Sequence, residues 1–599
     1  MKRLNILLVI LGVGMLFSCN KEVLNKKRLD VISENQVWQD PALINAYLTQ
    51  IYYDMPWLGN DCSGNGLNGD AAWHFSDIND ISDEAFPQYR DWNPSNAFTY
   101  KYGNLNIGGD PNLDWWGYNT IREINLFIQN VPGSPLADNI KKSKLAEARF
   151  LRAFCYFALV KRYGGVPLIT TVQNVSDPKS DLYPKRATEQ SVYDFIISES
   201  DACSNDLPEV VSADSLGHPS KYAALALESR AALYAGSIAQ FGTVQLDGVV
   251  GIPASAANTY YQKSSAASQV IIKSGKYALY NGDADKTTNF RNIFLVKNNS
   301  EVIFCKKHDA NNELSGGNGW AVDFFNCPRP EGWGRGLYDQ AYLELAESFE
   351  KTDGTSGKLD RTAIQQGLYT IDQVWGNRDP RFYATFYTQG SSWKGNTLDF
   401  HAGLRLPNGT IQTTGAYNGI PATGDQDYQG TGIGELKYLD ESHDNMAGTN
   451  SGWATSSSDW LIFRYAEILL NDAEASFESG NAAQALIDIN QVRSRAGVAP
   501  LITVTRDAIH NERKVELALE GHRYWDVRRW RTAVADLSVR WSGIRYILDA
   551  ASGKYQIQII NNVDGTSNIP QFRQENYYLP ITIGRTANNP NLVENPGYK

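Results

Sequence analysis

The 599-residue chain predicts a mainly α-helical fold: four degenerate tetratricopeptide-like helix pairs with large loop-rich insertions that form a binding face. Three observations predict it. Apolar residues recur at three- and four-residue spacing, the period of one helix face, over segments that come in twos. Alanines crowd several of those segments, so antiparallel helices can approach closely, as in helical repeats. Between the pairs, at Asp54 to Pro111 and Asn281 to Ser458, the sequence turns to Gly, Asn, Asp, Ser and aromatics with little helical period. Loops carried on a rigid scaffold are where binding residues usually sit.

In chain order, Lys2-Arg3 precedes an apolar run from Leu4 to Phe17, the pattern of a secretory leader too short to anchor in a bilayer. It ends in Leu16-Phe17-Ser18-Cys19, which resembles the bacterial lipobox, so residues 1–18 are expected to be removed and Cys19 lipidated. Acyl chains add ~0.8 kcal/mol per buried CH₂, so two or three anchor a chain without a spanning helix. No later stretch stays apolar for the ~18 residues that a span needs.

Asp40-Pro41 starts a helix to Tyr53, since Asp caps free N–H groups and Pro suits the first turn. Its partner is expected over Trp115–Phe127. Leu145–Val160 forms a stronger helix that stops at Gly164-Gly165-Val166-Pro167, and Thr188–Ile197 is its return. A third pair is Lys221–Gln240 with Tyr260–Ser274. The fourth is Arg464–Glu478 with Ala482–Ala496, broken at Gly480-Asn481. A further helix from Asp507 to Trp530 carries Glu512, Glu516 and Glu520 four apart on one face, which calls for arginines across the fold. Glu147, Arg152, Arg464, Glu512, Glu520, Arg523 and Asp526 are read as buried ion pairs that fix helix register. The pairs keep no constant spacing, so the array is degenerate. Regions 19–280 and 281–599 are expected to form its N- and C-terminal parts, the latter with the insertion 281–458.

Composition narrows the function. With 42% hydrophobic and 20% charged residues the chain is globular. A net charge of −11 and a pI of about 5.3 argue against a nucleic-acid partner, which needs a basic face. Six cysteines show no paired spacing, and Cys155 reads as a small apolar core residue. Gly64-Asn-Gly-Leu-Asn-Gly69 matches GxGxxG but follows no strand. The seven histidines are scattered, and Asp353-Gly-Thr-Ser-Gly357 lacks the closing glutamate of a calcium loop, so neither metal nor cofactor is expected.

Set together, several segments resemble the SusD/RagB family of outer-membrane lipoproteins from Bacteroidetes. They are the lipobox at Cys19, Ser82-Asp-Glu-Ala85, Ala146–Ala153 with Tyr163–Pro167, and Asn377-Arg-Asp-Pro-Arg381. Phe463-Arg-Tyr-Ala-Glu467, Glu512-Arg513, Glu520-Gly-His-Arg523 to Trp530, Leu579-Pro580, Asn589–Leu592 and Asn595–Tyr598 complete the order. The resemblance implies a cell-surface protein, anchored in the outer membrane by lipid, that captures an oligosaccharide, less often a peptide. It implies a partner too, a SusC-like TonB-dependent transporter that receives the ligand, and no catalysis. Asn20-Lys-Glu22 resembles the surface-export signal of such lipoproteins.

A glycan site needs flat rings for the C–H face of a sugar and amides, carboxylates or guanidinium groups for its rim. Two clusters fit. One holds Asp83, Tyr89, Arg90 and Trp92, preceded by Trp73; the other holds Trp320, Trp333, Arg335 and Tyr338. Starch-binding relatives place stacking aromatics in the corresponding loops, which match Trp92 or Tyr89, Trp320 and Trp333 here. Two other classes stay open. A helical glycoside hydrolase needs a carboxylate pair roughly 5–10 Å apart, which Asp77, Asp80, Asp83 and Glu84 could supply. A purely structural surface protein would not need so many loop tryptophans.

Overall fold

The computed structural model describes residues 34–56, 78–87, 101–105, 108, 113–212, 215–308, 322–328, 339–426, 430–444, 456–565 and 569–598. Within them the four expected pairs are present. Pro41–Tyr53 packs on Tyr118–Asn130, Asp138–Tyr163 on Glu189–Ser204, Lys221–Phe241 on Ala257–Ser274, and Tyr465–Glu478 on Ala482–Ala496. Each pair also packs on the next, so the helices form one continuous array.

Local chemistry sets most of the ends. Asp40 accepts from the Ala42 N–H, and Thr188 and Ser220 do the same at their helices, which satisfies donors a helix start leaves free. Gly275 and Gly497 take the left-handed conformation that stops a helix. Close approach is enforced at Gly236, where an added Cβ would stand 2.8 Å from the Tyr261 ring. Cys155 is buried, and its Sγ lies 3.4 Å from Met55 Sδ.

Three expectations need correction. The helix Asp138–Tyr163 begins seven residues before Leu145, because its first turns are polar and carry no apolar period. The segment 507–530 is not one helix. It runs Arg506–Glu516, breaks, and resumes as Arg523–Arg529, with Leu519 and Gly521 at φ 61° and 74°. The break frees backbone carbonyls that a continuous helix would use: Glu516 O accepts from Arg464, and Ala518 O from Lys437 at 2.6 Å.

Nor is the insertion 281–458 only loop. It supplies strands to two four-stranded sheets and has its own core around Phe349, Trp375, Phe382, Phe386 and Tyr387. In the first sheet the order is Ala85–Pro87, Asp339–Ala341, Gly434–Glu435, Phe386–Tyr387, all antiparallel. In the second the hairpin Gly543–Asp549/Tyr555–Ile560 lies beside His401–Arg405, which pairs with Ile411–Gln412. That hairpin was not expected.

A buried ion network joins the insertion to the last helices. Arg381 holds Asp379, Glu512 and Glu516; Arg464 holds Glu301, Glu516 and Glu520. Arg493 bridges Glu350 and Glu512, Arg495 bridges Glu301 and Glu516, and Lys437 pairs with Glu520. Arg464 engages Nε once and each terminal nitrogen twice, at 2.7–2.8 Å, so all five guanidinium N–H donors are used. The acids spaced by four are thus answered by arginines, as their spacing requires. The other charges read as scaffold behave alike: Arg152 meets Glu199 at 2.8 Å, Glu147 meets Tyr52 and His218, and Asp526 holds Arg513 and Arg529.

Candidate ligand-binding face

Of the predicted contact residues, Trp73, Tyr89, Arg90, Trp92, Trp320, Trp333, Arg335 and Tyr338 lie outside the described residues, as does Cys19. What the structure does place is their attachment to the scaffold. Ala85–Pro87 and Asp339–Ala341 form an antiparallel ladder in which Pro87 faces Asp339. The chain leaves Pro87 toward Tyr89 and Trp92, and it arrives at Asp339 from Trp333 and Tyr338. Segments more than two hundred residues apart in sequence are therefore brought together at one end of one strand pair.

Neighbouring contacts tie in the rest of the insertion. The short helix Val322–Asn326 follows Trp320 directly, and Asn326 accepts from the Asp339 N–H at 3.3 Å and from the Tyr387 hydroxyl at 2.5 Å. Asp323 accepts from the Asp440 N–H at 2.6 Å, while its own N–H donates to Ser456 Oγ at 3.0 Å. Burial raises the Asp323 carboxyl to about 6, opposed by hydrogen bonds to it from the Asp440 N–H and the Ser456 side chain.

Beneath the ladder lies a polar knot that sequence reasoning missed. Lys101 Nζ donates to Ala85 O at 2.9 Å and to the Tyr342 hydroxyl, which donates to Asp564 Oδ1 at 2.8 Å. Tyr342 stacks on Trp541 at 5.1 Å. Burial pulls the lysine below its usual value, and nearby Asp564, Asp80 and Asp83 pull it back up. Lys101 thus fixes one stem and Tyr342, next after Ala341, fixes the other. A lone lysine after a glycine- and asparagine-rich loop carries no signal of this in sequence.

Asp83 is the predicted residue that is described. It is buried, with Oδ1 taken by Arg523 at 2.8 Å and Oδ2 by Lys514 at 3.0 Å. Burial would raise its carboxyl, but the two cations outweigh that and hold it well below the usual range. It clamps the first insertion to the last helices. Glu84 is buried beside it; desolvation first and the Asp83 charge second raise it to about 8. Among the described residues, no group of three or more His, Cys, Asp or Glu could hold a metal ion. No described helix is long and apolar enough to cross a membrane.

Two family profiles match the chain, "SusD family" over residues 300–598 and "Starch-binding associating with outer membrane" over residues 29–233. The chain belongs to the SusD/RagB family. SusD-like protein P38 of Formosa agariphila is 24% identical over 575 residues, covering 88% of this chain and 91% of that one. A SusD-like protein from Bacteroides fragilis superposes with a TM-score of 0.72 at 26% identity, covering 96% of this chain and all of that one. Surface glycan-binding protein A from Bacteroides thetaiotaomicron, solved with laminarihexaose, shares the fold at 18% identity and a TM-score of 0.61, over 93% and 99% of the two chains. The mostly helical SusD fold is therefore this chain's fold.

Proposed function

We propose that this SusD-family chain is a lipid-anchored protein of the outer cell surface. It captures an oligosaccharide on the face above Pro87 and Asp339 and delivers it to a SusC-like TonB-dependent transporter without altering it. One observation carries the reading: the two aromatic-rich segments picked out from the sequence leave the scaffold from register partners of one ladder. A ligand spanning several sugar rings needs rings presented from more than one segment, and this ladder supplies a shared base for them. Support also comes from relatives whose names state glycan binding, one of them solved with a laminari-oligosaccharide. The hydrolase reading is weakened at two of its four candidate carboxylates, because Asp83 is ion-paired and Glu84 is buried with Oε1 on the Leu519 N–H.

The test is a panel of polysaccharides and oligosaccharides, run by affinity gels and calorimetry on the chain from Asn20 onward, with products assayed in the same tubes. Binding without shortening of the sugar supports the reading and names its substrate class. Shortened sugar refutes it in favour of hydrolysis, and silence across the panel moves the ligand class to peptides.

A further inference from the structure

Far from that ladder in sequence, a cleft of about 280 Å³ opens where the end of helix Lys221–Phe241 meets Arg531 and the C-terminal tail. Its volume is just under the ~300–1,000 Å³ usual for small-molecule sites, with room for one sugar ring. Phe241, Gln245, Arg531, Glu575, Tyr577 and Tyr578 give its walls their chemistry.

The walls are held in place from behind. Arg531 lies over both tyrosine rings, 4.6 Å from the centre of Tyr577 and 5.0 Å from that of Tyr578, and donates to the Tyr578 hydroxyl at 2.6 Å. That hydroxyl donates to buried Glu189 Oε2 at 2.7 Å, which also accepts the Gly251 N–H at 2.6 Å. One buried carboxylate therefore fixes the guanidinium, the ring and the Gln245–Val250 turn together. The turn is tight: Gln245 and Val250 exchange backbone hydrogen bonds, while Leu246, Asp247 and Gly248 all have positive φ. A Cβ at Gly251 would stand 2.2 Å from the Thr243 carbonyl oxygen. Arg531 itself sits at φ 60°, a conformation that non-glycine residues hold only where the surroundings over-determine it. At Gly242 an added Cβ would stand 2.4 Å from the Ile238 carbonyl oxygen, so glycine is required where the helix ends at the cleft.

We propose that this cleft is a second carbohydrate site, independent of the loop face and sized for a single uncharged hexose. Arg531 and Glu575 offer donors and acceptors for vicinal hydroxyls, and the Gln245 side-chain amide offers both. The lining carries one cation, Arg531, and one anion, Glu575, so its charge balances, which favours an uncharged ring over an acidic one. The proposal goes beyond the uptake reading and does not rest on it.

Saturation-transfer NMR on the chain from Asn20 onward, with D-glucose, D-galactose and glucuronate as probes, tests it. Transfer to a neutral hexose is expected, weakened about tenfold in affinity by Glu575→Gln, the scale of one charge-assisted hydrogen bond. Arg531→Gln should do the same, and thermal melting checks that both variants fold. Glu575→Gln alone keeps the test alive if the arginine variant does not. In Trp320→Ala and Trp333→Ala the part of the hexose signal that Glu575→Gln removes should be unchanged, which separates this site from the loop face. No transfer, transfer unaltered by Glu575→Gln, transfer lost in the tryptophan variants, or preference for glucuronate would each overturn it.

Discussion

Replacing Arg464 tests whether the buried ion network sets the stability of the junction between insertion and helices. Its guanidinium makes five hydrogen bonds at 2.7–2.8 Å to Glu301, Glu516 and Glu520, and it is 2% exposed. Lysine keeps the charge but has three donors for those five positions, so Arg464→Lys should cost about 2–3 kcal/mol, roughly one to two charge-assisted hydrogen bonds. Methionine removes the charge as well. Each carboxylate then keeps a partner, Glu301 and Glu516 through Arg495 and Glu520 through Lys437. The balance nonetheless falls to Arg381, Arg493, Arg495 and Lys437 against Asp379, Glu301, Glu350, Glu512, Glu516 and Glu520. Arg464→Met should cost about 3–5 kcal/mol, the range for stranding one partner of a buried pair. The excess negative charge raises the folded-state pKa of a carboxyl in the variant. That adds stability present at low pH and lost as pH rises, so the deficit should be smaller at pH 5 than at pH 8. Urea unfolding followed by tryptophan fluorescence measures it. A methionine variant within ~1 kcal/mol of the parent, or a deficit that shrinks as pH rises, would refute the reasoning.

Other expectations concern the face and single titrations. Trp92→Ala, Trp320→Ala and Trp333→Ala should each weaken glycan affinity by calorimetry while leaving the melting temperature within a few degrees; three unchanged affinities put the site elsewhere. Glu84 is raised to about 8 by burial and by Asp83, so its stabilising share is complete below its unfolded value of 4.5 and declines as pH rises through 8. Glu84→Gln removes that decline, and its stability relative to the parent should improve from pH 5 to pH 8; a flat difference contradicts it. His510 stacks on Trp530 at 3.6 Å, and burial lowers it to about 4, with Glu474 opposing and Arg529 assisting. Its share is present above 6.5 and lost as pH falls toward 4, so His510→Phe should blunt acid unfolding over that window.

Where chemistry is local, the sequence read well. Pro41–Tyr53 has the expected ends because capping by Asp40 and the first-turn proline are properties of adjacent residues. The ion network was foreseen in outline, since acids four apart on a helix need cations, but not which arginines answer. Arg381 reaches Glu512 from 131 residues away, and no spacing rule carries that distance. The break at Leu517–His522 was hidden because Glu512, Glu516 and Glu520 continue a helical period straight through it. The hairpin had a signal that went unread, with Ile544 and Tyr546, then Ile557 and Ile559, alternating about Ser552-Gly553. The ion pairs of Asp83 were not legible because a carboxylate in a loop reads as solvated. Its partners Arg523 and Lys514 stand 440 and 431 residues on.

The ladder at Pro87 and Asp339 has a consequence for how such a protein diversifies. Its stems are locked by Lys101, Tyr342 and the strand hydrogen bonds, none of which reads the identity of residues 88–100 or 329–338. Those two stretches are therefore expected to be exchangeable as cassettes. Grafting a relative's pair onto this scaffold should carry its sugar preference across, with the helical body indifferent to the exchange.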